Sequence, residues 1–169
     1  PEPTADVTEA PAATTESVAP ADTDPPAGAP PAGEIPDGDD GPVPVGVTVR
    51  AGGNLVRVNR VVTDAQPVDL FDPQPGNTIT AIEVEACAGP AGFAANAFYW
   101  TAYLGDDSTA ENYLFGDEFP SVRLQPGGCV LGVITYEVPE GSPVASFALA
   151  NHVFDEIGRW SVDGAVEPG

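Results

Sequence analysis

The sequence predicts an all-β protein, an antiparallel β-sandwich of seven to nine strands that follows a disordered, acidic, Pro/Ala-rich N-terminal segment. Three observations predict it. The first 44 residues contain ten acidic residues and neither a basic nor an aromatic one. From residue 45 onward, short apolar stretches alternate with turns rich in Gly, Pro, Asn and Asp, without a helical period. This second part also contains both cysteines of the chain, Cys87 and Cys129.

Residues 1–44 are predicted to be a disordered tether, and residues 45–169 the folded domain. The aliphatic residues of the first segment are isolated, so it cannot bury enough apolar surface to offset the entropy lost on ordering. Its prolines favour extended polyproline II, and its like charges extend it further. Such a segment is suited to hold a domain away from a membrane.

The strands of the folded domain are predicted from alternation. Polar and apolar side chains alternate over most of residues 55–63 (LVRVNRVVT) and 78–87 (TITAIEVEAC), which is typical of half-buried strands. Residues 106–112 are predicted to be a loop, and a helical turn is predicted near residues 153–157. The other stretches of strand character are residues 46–50, 93–105, 112–116, 129–141, 142–150 and 159–164. Their number and spacing favour an immunoglobulin-like sandwich over a barrel.

Cys87 and Cys129 are predicted to form a disulfide. An even number of cysteines in a small exported domain is typical of one, and the alternative is two buried free thiols in a cytosolic protein. If Ile82, Val84 and Ile134 face the core, alternation turns both sulfurs away from it. The bridge is therefore predicted to join neighbouring strands of one sheet, unless a β-bulge reverses the alternation.

The net charge of −21, from 26 acidic and five basic residues, argues against nucleic acid and anionic membrane surfaces as partners. Both attract proteins through Lys and Arg. Partners are expected to be neutral molecules, cationic molecules or metal ions.

The chain begins at Pro1, so we expect a processed extracytoplasmic protein, either secreted or lipid-anchored at the outer face of the cytoplasmic membrane. Membrane contact is expected only through such an anchor.

Residues 124–141 (LQPGGCVLGVITYEVPEG) combine a leucine, a Pro-Gly turn, a strand and an aromatic-Glu-Val-Pro ending. Ahead of them, residues 78–87 and 98–107 occupy the places of two long central strands. In these features residues 45–150 resemble the secreted bacterial telokin-like domains. This family of unknown function occurs in lipoproteins, and the mycobacterial immunoprotective extracellular antigen has a similar fold. Many members carry an Asn after the first central strand, where this chain has CAG at residues 87–89. The resemblance implies an immunoglobulin-like sandwich, export and often lipid anchoring, but no activity.

The sequence contains no catalytic constellation. His152 is the single histidine, whereas catalytic triads and zinc sites need His or Cys partners. A nucleophile elbow and a phosphate-binding Gly loop are both absent from the sequence. We therefore predict a protein that is not an enzyme and has no cofactor, with His152 at the rim of a strand end.

Three aromatic residues are predicted as possible partner or ligand contacts: Tyr99, Tyr103 and Trp160. If residues 98–105 form a regular strand, Tyr99 and Tyr103 share one face, and Phe98 and Trp100 share the opposite face. Exposed aromatic rings can stack on sugars or anchor a protein partner. The alternative is that they pack beneath a neighbouring loop.

A candidate calcium site is formed by Asp106, Asp107 and Glu111, with Asp117 and Glu118 nearby in the sequence. Calcium prefers carboxylate oxygens. The alternative is a solvated acidic loop.

The function predicted from these features is a non-enzymatic binding or structural module of the cell envelope. It would contact another envelope protein through one sheet face or the loop end. The alternatives are a carbohydrate- or small-ligand-binding module and a calcium-dependent adhesion domain.

Overall fold

The computed structural model describes residues 34–66, 72–112, 119–163 and 166–168. These residues form two short 3₁₀ turns (Gly38–Asp40 and Ala97–Tyr99) and twelve strands. The strands are β1 (Val43–Pro44), β2 (Thr48–Ala51), β3 (Asn54–Thr63), β4 (Asn77–Cys87), β5 (Phe93–Ala95), β6 (Trp100–Leu104), β7 (Thr109–Asn112), β8 (Val122–Leu124), β9 (Cys129–Pro139), β10 (Val144–Ala150), β11 (Glu156–Ser161) and β12 (Val166–Pro168). The predicted all-β class is confirmed, and eight of the described strands have four residues or more.

The strands form two layers of a sandwich. One layer contains β2, β3, β4, β9 and β12, and the other contains β1, β11, β10 and β6. β7 pairs with β6 through Thr109 and Ala110 and with β9 through Glu111 and Asn112, so it crosses from one layer to the other. β5 and β8 form a separate antiparallel pair beside the sandwich.

The core lies between the layers and is built from alternate residues of the long strands. Tyr136 of β9 meets Phe147 of β10, with ring centroids 5.4 Å apart, and Trp100 packs on Trp160 at 5.3 Å. Aliphatic side chains fill the space around these rings. Burying each such side chain contributes about 1.5–3 kcal/mol. The largest fully buried aliphatic residues are Val49, Val56, Val58, Val61, Ile82, Val84, Ile134 and Leu149.

A β-bulge changes the predicted alternation of β3. The pairing with β4 shifts between Val58 and Arg60, and the extra residue reverses which side chains face inward. Val61 is therefore buried and Arg60 is exposed. Strict alternation over residues 55–63 placed Arg60 on the face of Val56 and Val58; the bulge corrects this and keeps a charge out of the core.

The disulfide between Cys87 and Cys129 is present and joins neighbouring strands of one layer, as predicted. The two residues are directly opposite each other at the ends of β4 and β9, with Cα atoms 4.0 Å apart. Cys129 is exposed and Cys87 is half-buried. The bridge therefore lies on the outer face of the sheet and does not link the two layers.

The sandwich is not entirely antiparallel. β1 pairs with β11 in parallel, and β12 pairs with β3 in parallel. Both pairings involve short strands of two or three residues at opposite ends of the sheet path. Apolar patterning cannot specify the direction of such short strands, so these two parallel pairs could not be predicted from it.

Residues 34–44, which the sequence assigned to the tether, contact the sandwich. The Arg50 N–H donates a 2.8 Å hydrogen bond to the Pro36 carbonyl, and Val43 and Pro44 pair with β11. Gly38 lies so close to the Ile157 carbonyl that a Cβ atom would overlap it. Ordered backbone contacts thus begin before residue 45. Residues 1–33 lie outside the described residues.

Three local predictions are corrected by the structure. The stretch 93–105 is not one strand, because the 3₁₀ turn at residues 97–99 separates β5 from β6. The predicted loop at residues 106–112 contains β7, and the predicted strand at residues 112–116 lies largely outside the described residues. The predicted helical turn near residues 153–157 is a hydrogen-bonded loop that leads into β11.

Candidate functional site

A cleft of about 580 Å³ opens at one end of the sandwich. It lies between the β2–β3 turn, the start of β5, β8 and the β10–β11 loop. Phe93, Tyr99, Ala150 and Ile157 give it an apolar lining, and Phe93 is itself buried. A largely apolar concavity of this size lies within the range of about 300–1,000 Å³ that is typical of ligand sites.

Asn54 holds one wall of the cleft in place. Its Nδ2 donates to the Ala51 carbonyl at 3.1 Å and to the Gly52 carbonyl at 3.2 Å. Its Oδ1 accepts a hydrogen bond from the Gly89 N–H at 3.0 Å. Asn54 is buried, and its three bonds tie the β2–β3 turn to the β4–β5 loop. At Gly89 a Cβ atom would overlap the Gly53 carbonyl, so the contact between these two segments requires glycine.

Two nitrogen-bearing side chains lie at the cleft. Arg123, on β8, and His152, on the β10–β11 loop, both line it and are exposed. Arg123 lies directly across the β5–β8 pair from Ala94, another lining residue. Among the described residues no carboxylate pairs with Arg123. None of the described lining residues is acidic.

The β10–β11 loop presents Phe154 to solvent in an uncommon backbone conformation. Its φ is 66° and its side chain is 77% exposed. The loop is held by Asn151, whose Oδ1 accepts from the N–H groups of Val153 at 2.9 Å and Asp155 at 3.0 Å. The Phe154 N–H donates to the Asn151 carbonyl at 3.0 Å. These bonds fix the direction in which the phenyl ring points.

Three exposed apolar residues and the half-buried Tyr99 are together called the aromatic rim, defined here as Phe98, Tyr99, Val153 and Phe154. Tyr99 and Phe154 make an edge-to-face contact with centroids 6.5 Å apart. Phe98, next to Tyr99, is 64% exposed, and Val153 is 58% exposed. The 3₁₀ turn at residues 97–99 turns Phe98 outward, since the Asn96 Oδ1 caps it by accepting from the Phe98 N–H at 2.9 Å.

The predicted contact residues fall into different environments. Tyr99 lines the cleft and belongs to the rim. Trp160 is fully buried, with its Nε1–H donating to the Val47 carbonyl at 3.0 Å, so its ring is not available to a partner in this fold. Tyr103 is half-buried beneath Arg159, whose guanidinium carbon lies 4.3 Å from the ring centroid. The structure therefore does not bring Tyr103 and Trp160 together with Tyr99 on one open surface.

Arg159 covers Tyr103 because a carboxylate holds it in place. The Glu156 carboxylate accepts from the Arg159 Nη2 at 2.7 Å and from its Nε at 2.9 Å. These hydrogen bonds raise the pKa of the Arg159 guanidinium above its ordinary value. The charged, bidentate pair shields one face of the Tyr103 ring.

The predicted alternation of side chains between two faces along residues 98–103 is wrong. Phe98 and Trp100 were expected on one face, yet Phe98 is exposed and Trp100 is buried. The reason is the 3₁₀ turn, in which side chains do not alternate with a period of two.

The candidate calcium ligands are only partly described. The Asp106 carboxylate accepts hydrogen bonds from the Ser108 Oγ at 2.6 Å and the Ser108 N–H at 3.0 Å, which lower its pKa below the ordinary value. It thus caps the turn after β6. Asp117 and Glu118 lie outside the described residues. Within the described part of the chain, no three His, Cys, Asp or Glu side chains are grouped to hold a metal ion.

Across residues 34–66, 72–112, 119–163 and 166–168 the structure contains no helix with the length and apolar character needed to span a membrane.

The sandwich is similar to two solved structures. The secreted protein MPT63 of Mycobacterium tuberculosis aligns with a TM-score of 0.57 and 13% identity, over 72% of this chain and 98% of that chain. A protein of Bacillus subtilis named as a candidate lipoprotein, ycdA, aligns with a TM-score of 0.51 and 10% identity, over 78% of this chain and 39% of that chain. No family model matches the chain, and no curated protein matches it. At these identities the likeness shows the fold alone, so membership of the telokin-like family stays a prediction.

Sequence reasoning missed the residues that define this end of the molecule. Arg123, Phe98 and Phe154 were not predicted as contacts. A signal for Phe154 was nevertheless present, because Val153 and Phe154 are two apolar residues inside a polar turn that begins with Asn151. Asn at the start of such a turn is typical of side-chain-capped loops. The cleft itself has no sequence signal, since its lining residues are spread along the chain from Gly52 to Ile157.

Proposed function

We propose that this protein is a non-enzymatic, extracytoplasmic binding module that docks another envelope protein through its aromatic rim. One observation carries the proposal: Phe154 is held in a left-handed conformation while the residue is 77% exposed. A left-handed backbone costs a non-glycine residue about 1–2 kcal/mol. A bulky residue there, with most of its ring in water, contributes little to folding in return.

Features of the rim match those of residues that anchor protein partners. Aromatic side chains dominate binding energy at interfaces because they bury a large area with few rotatable bonds. The Asn151 hydrogen bonds fix the loop before any partner arrives, which lowers the entropy lost on binding. The neighbouring 3₁₀ turn orients Phe98 in the same way through the Asn96 cap. Both aromatic groups are thus presented by short, hydrogen-bonded segments.

The extracytoplasmic location is supported by three features. The protein has a disulfide with no free cysteine among its described residues, and disulfides persist chiefly in oxidising compartments. The two structures similar to it are named as a secreted protein and a candidate lipoprotein. The first 33 residues have the composition of an extended spacer.

Site-specific photo-crosslinking in the native envelope tests this function. The five basic residues of the chain are all Arg, so amine-reactive reagents have no lysine to modify. A photo-reactive phenylalanine analogue would replace Val153 in the tagged full chain, and in a matched control it would replace Leu131. Leu131 is 60% exposed on β9, away from the rim.

We expect one envelope protein to be crosslinked from position 153 and not from position 131. The double variant Phe98→Ser/Phe154→Ser, with the label kept at position 153, is expected to lose this adduct while retaining the native circular dichroism spectrum. Equal labelling from both positions, or an adduct that survives the double variant, would overturn the proposal.

A further inference from the structure

We propose that the cleft binds a small anion with an apolar body, that is, a carboxylate or phosphate monoester carried on a hydrocarbon chain. This site shares Tyr99 with the aromatic rim, but it uses the interior of the cleft and not the exposed rings of Phe98 and Phe154 on which the proposed docking function depends. Three features support it: the shape of the cleft, the lack of acidic residues in its described lining, and the placement of its two nitrogen-bearing side chains.

The shape favours an apolar body. The cleft measures about 580 Å³ and is lined by Phe93, Tyr99, Ala150 and Ile157. Ala94 and Gly92 leave room along one wall, because neither has a side chain large enough to enter the space. Apolar contact removes hydrocarbon surface from water and is the main source of affinity in such sites.

The charge distribution favours an anionic head group. The chain contains 26 acidic residues against five basic ones, yet the described lining of the cleft includes no acid and does include Arg123 and the single His152. An acidic protein that keeps carboxylates out of one concavity and places a guanidinium there selects for negative charge. Among the described residues Arg123 has no carboxylate partner, so its donors are available to a ligand.

Arg123 and His152 lie on different walls of the cleft. Arg123 belongs to β8 and faces Ala94 across the β5–β8 pair, whereas His152 belongs to the β10–β11 loop. A planar guanidinium binds carboxylate and phosphate oxygens through paired hydrogen bonds. A ligand whose chain lies against Phe93 and Ile157 would bring its head group out beside Arg123 at the cleft edge.

Binding is measured with sodium decanoate and decyl phosphate, and with decyltrimethylammonium and decanol as controls of the same chain length. Isothermal titration calorimetry on the full chain gives Kd. Because the chain contains one histidine, the His152 imidazole gives a single set of NMR signals that reports directly on the cleft. We expect decanoate or decyl phosphate to shift these signals and to bind at least tenfold more tightly than decyltrimethylammonium. The comparison of the two anions identifies the preferred head group.

Three variants locate the site. Arg123→Gln is expected to weaken anion binding about tenfold, the effect of losing a hydrogen bond to a charged group. Arg57→Gln is the matched control, since it removes the same charge from an exposed residue outside the cleft, and its Kd should stay within about twofold. Ala94→Phe fills the cleft and should abolish binding while Arg123 remains in place.

The outcomes separate this site from the docking function. Phe98→Ser/Phe154→Ser should leave decanoate binding intact, and Arg123→Gln should leave the envelope crosslink intact. Equal affinity for the cationic control, equal effects of Arg57→Gln and Arg123→Gln, or no binding of either anion at millimolar concentration would overturn the inference.

Discussion

Replacing Phe154 tests whether this residue serves the fold or a partner. The variant Phe154→Asn keeps a side chain that tolerates the left-handed region and removes the exposed ring. If Phe154 serves the fold, its loss should destabilise the protein. If it is held in place for binding, the fold should tolerate the change or gain from it.

The magnitude follows from two opposing contributions. Relief of the left-handed conformation stabilises the variant by about 1–2 kcal/mol. Phe154 as a residue is 77% exposed, so 23% of its surface is covered. For a phenylalanine of about 200 Å² this is about 46 Å², worth about 1 kcal/mol at 25 cal/mol per Å². The free energy of unfolding should therefore stay unchanged or rise by about 1 kcal/mol.

The assay is urea unfolding of the full chain, followed by the fluorescence of Trp100 and Trp160, which are both buried in the core. Phe147→Ala provides the comparison: Phe147 is fully buried against Tyr136, and its loss should cost about 3–5 kcal/mol. A loss of more than about 2 kcal/mol in Phe154→Asn would refute the reasoning. In that case Phe154 would be a structural residue, and the proposed docking function would lose the observation that carries it.

Three further predictions follow from the contacts described above. Replacing both Cys87 and Cys129 by Ser should lower the free energy of unfolding by about 4 kcal/mol, from the 42-residue separation that the bridge closes; a loss below about 1 kcal/mol in urea would show that the β4–β9 ladder restrains these strand ends without the disulfide. Gly89→Ala should destabilise the protein by about 1–3 kcal/mol, because its Cβ meets a carbonyl oxygen of the β2–β3 turn, and an unchanged melting temperature would contradict that contact. In an NMR titration, the Asp106 carboxyl should have a midpoint below 3.8, because two hydrogen bonds from Ser108 favour its charged form. The turn should keep its carboxylate acceptor at neutral pH and lose it only as the pH falls through that lowered value, while Ser108→Ala should bring the midpoint back towards 3.8.

Much of the fold was determined by local patterns in the sequence. The alternation in residues 78–87 and 129–139 fixed which side chains of β4 and β9 face inward, because a strand has a period of two wherever it is regular. The same parity placed Cys87 and Cys129 on the outer face, and the two strands indeed pair directly there. The long strands and the all-β class could thus be predicted from neighbouring residues alone.

The predictions of which side chains face inward failed where the backbone departs from the two-residue period of a regular strand. The bulge in β3 moved Arg60 outward, and the 3₁₀ turn at residues 97–99 separated the faces of Phe98 and Trp100. Each depends on a single extra or tightly turned residue. Whether such a bulge or turn is stable depends on packing against distant strands, and a local sequence pattern does not contain that information.

The candidate site was decided by the tertiary structure. Trp160 was predicted as a contact because Trp is common at interfaces, but its burial depends on β11 packing between β1 and β10. The cleft brings Arg123 and His152 to one place although 29 residues separate them in the chain. Composition determined the acidic charge, and the local alternation of side chains determined the strand-rich class, because neither depends on contacts between distant segments. Only the folded chain decides which surface lacks acid and which aromatic ring stays in water, because both depend on contacts between segments far apart in sequence.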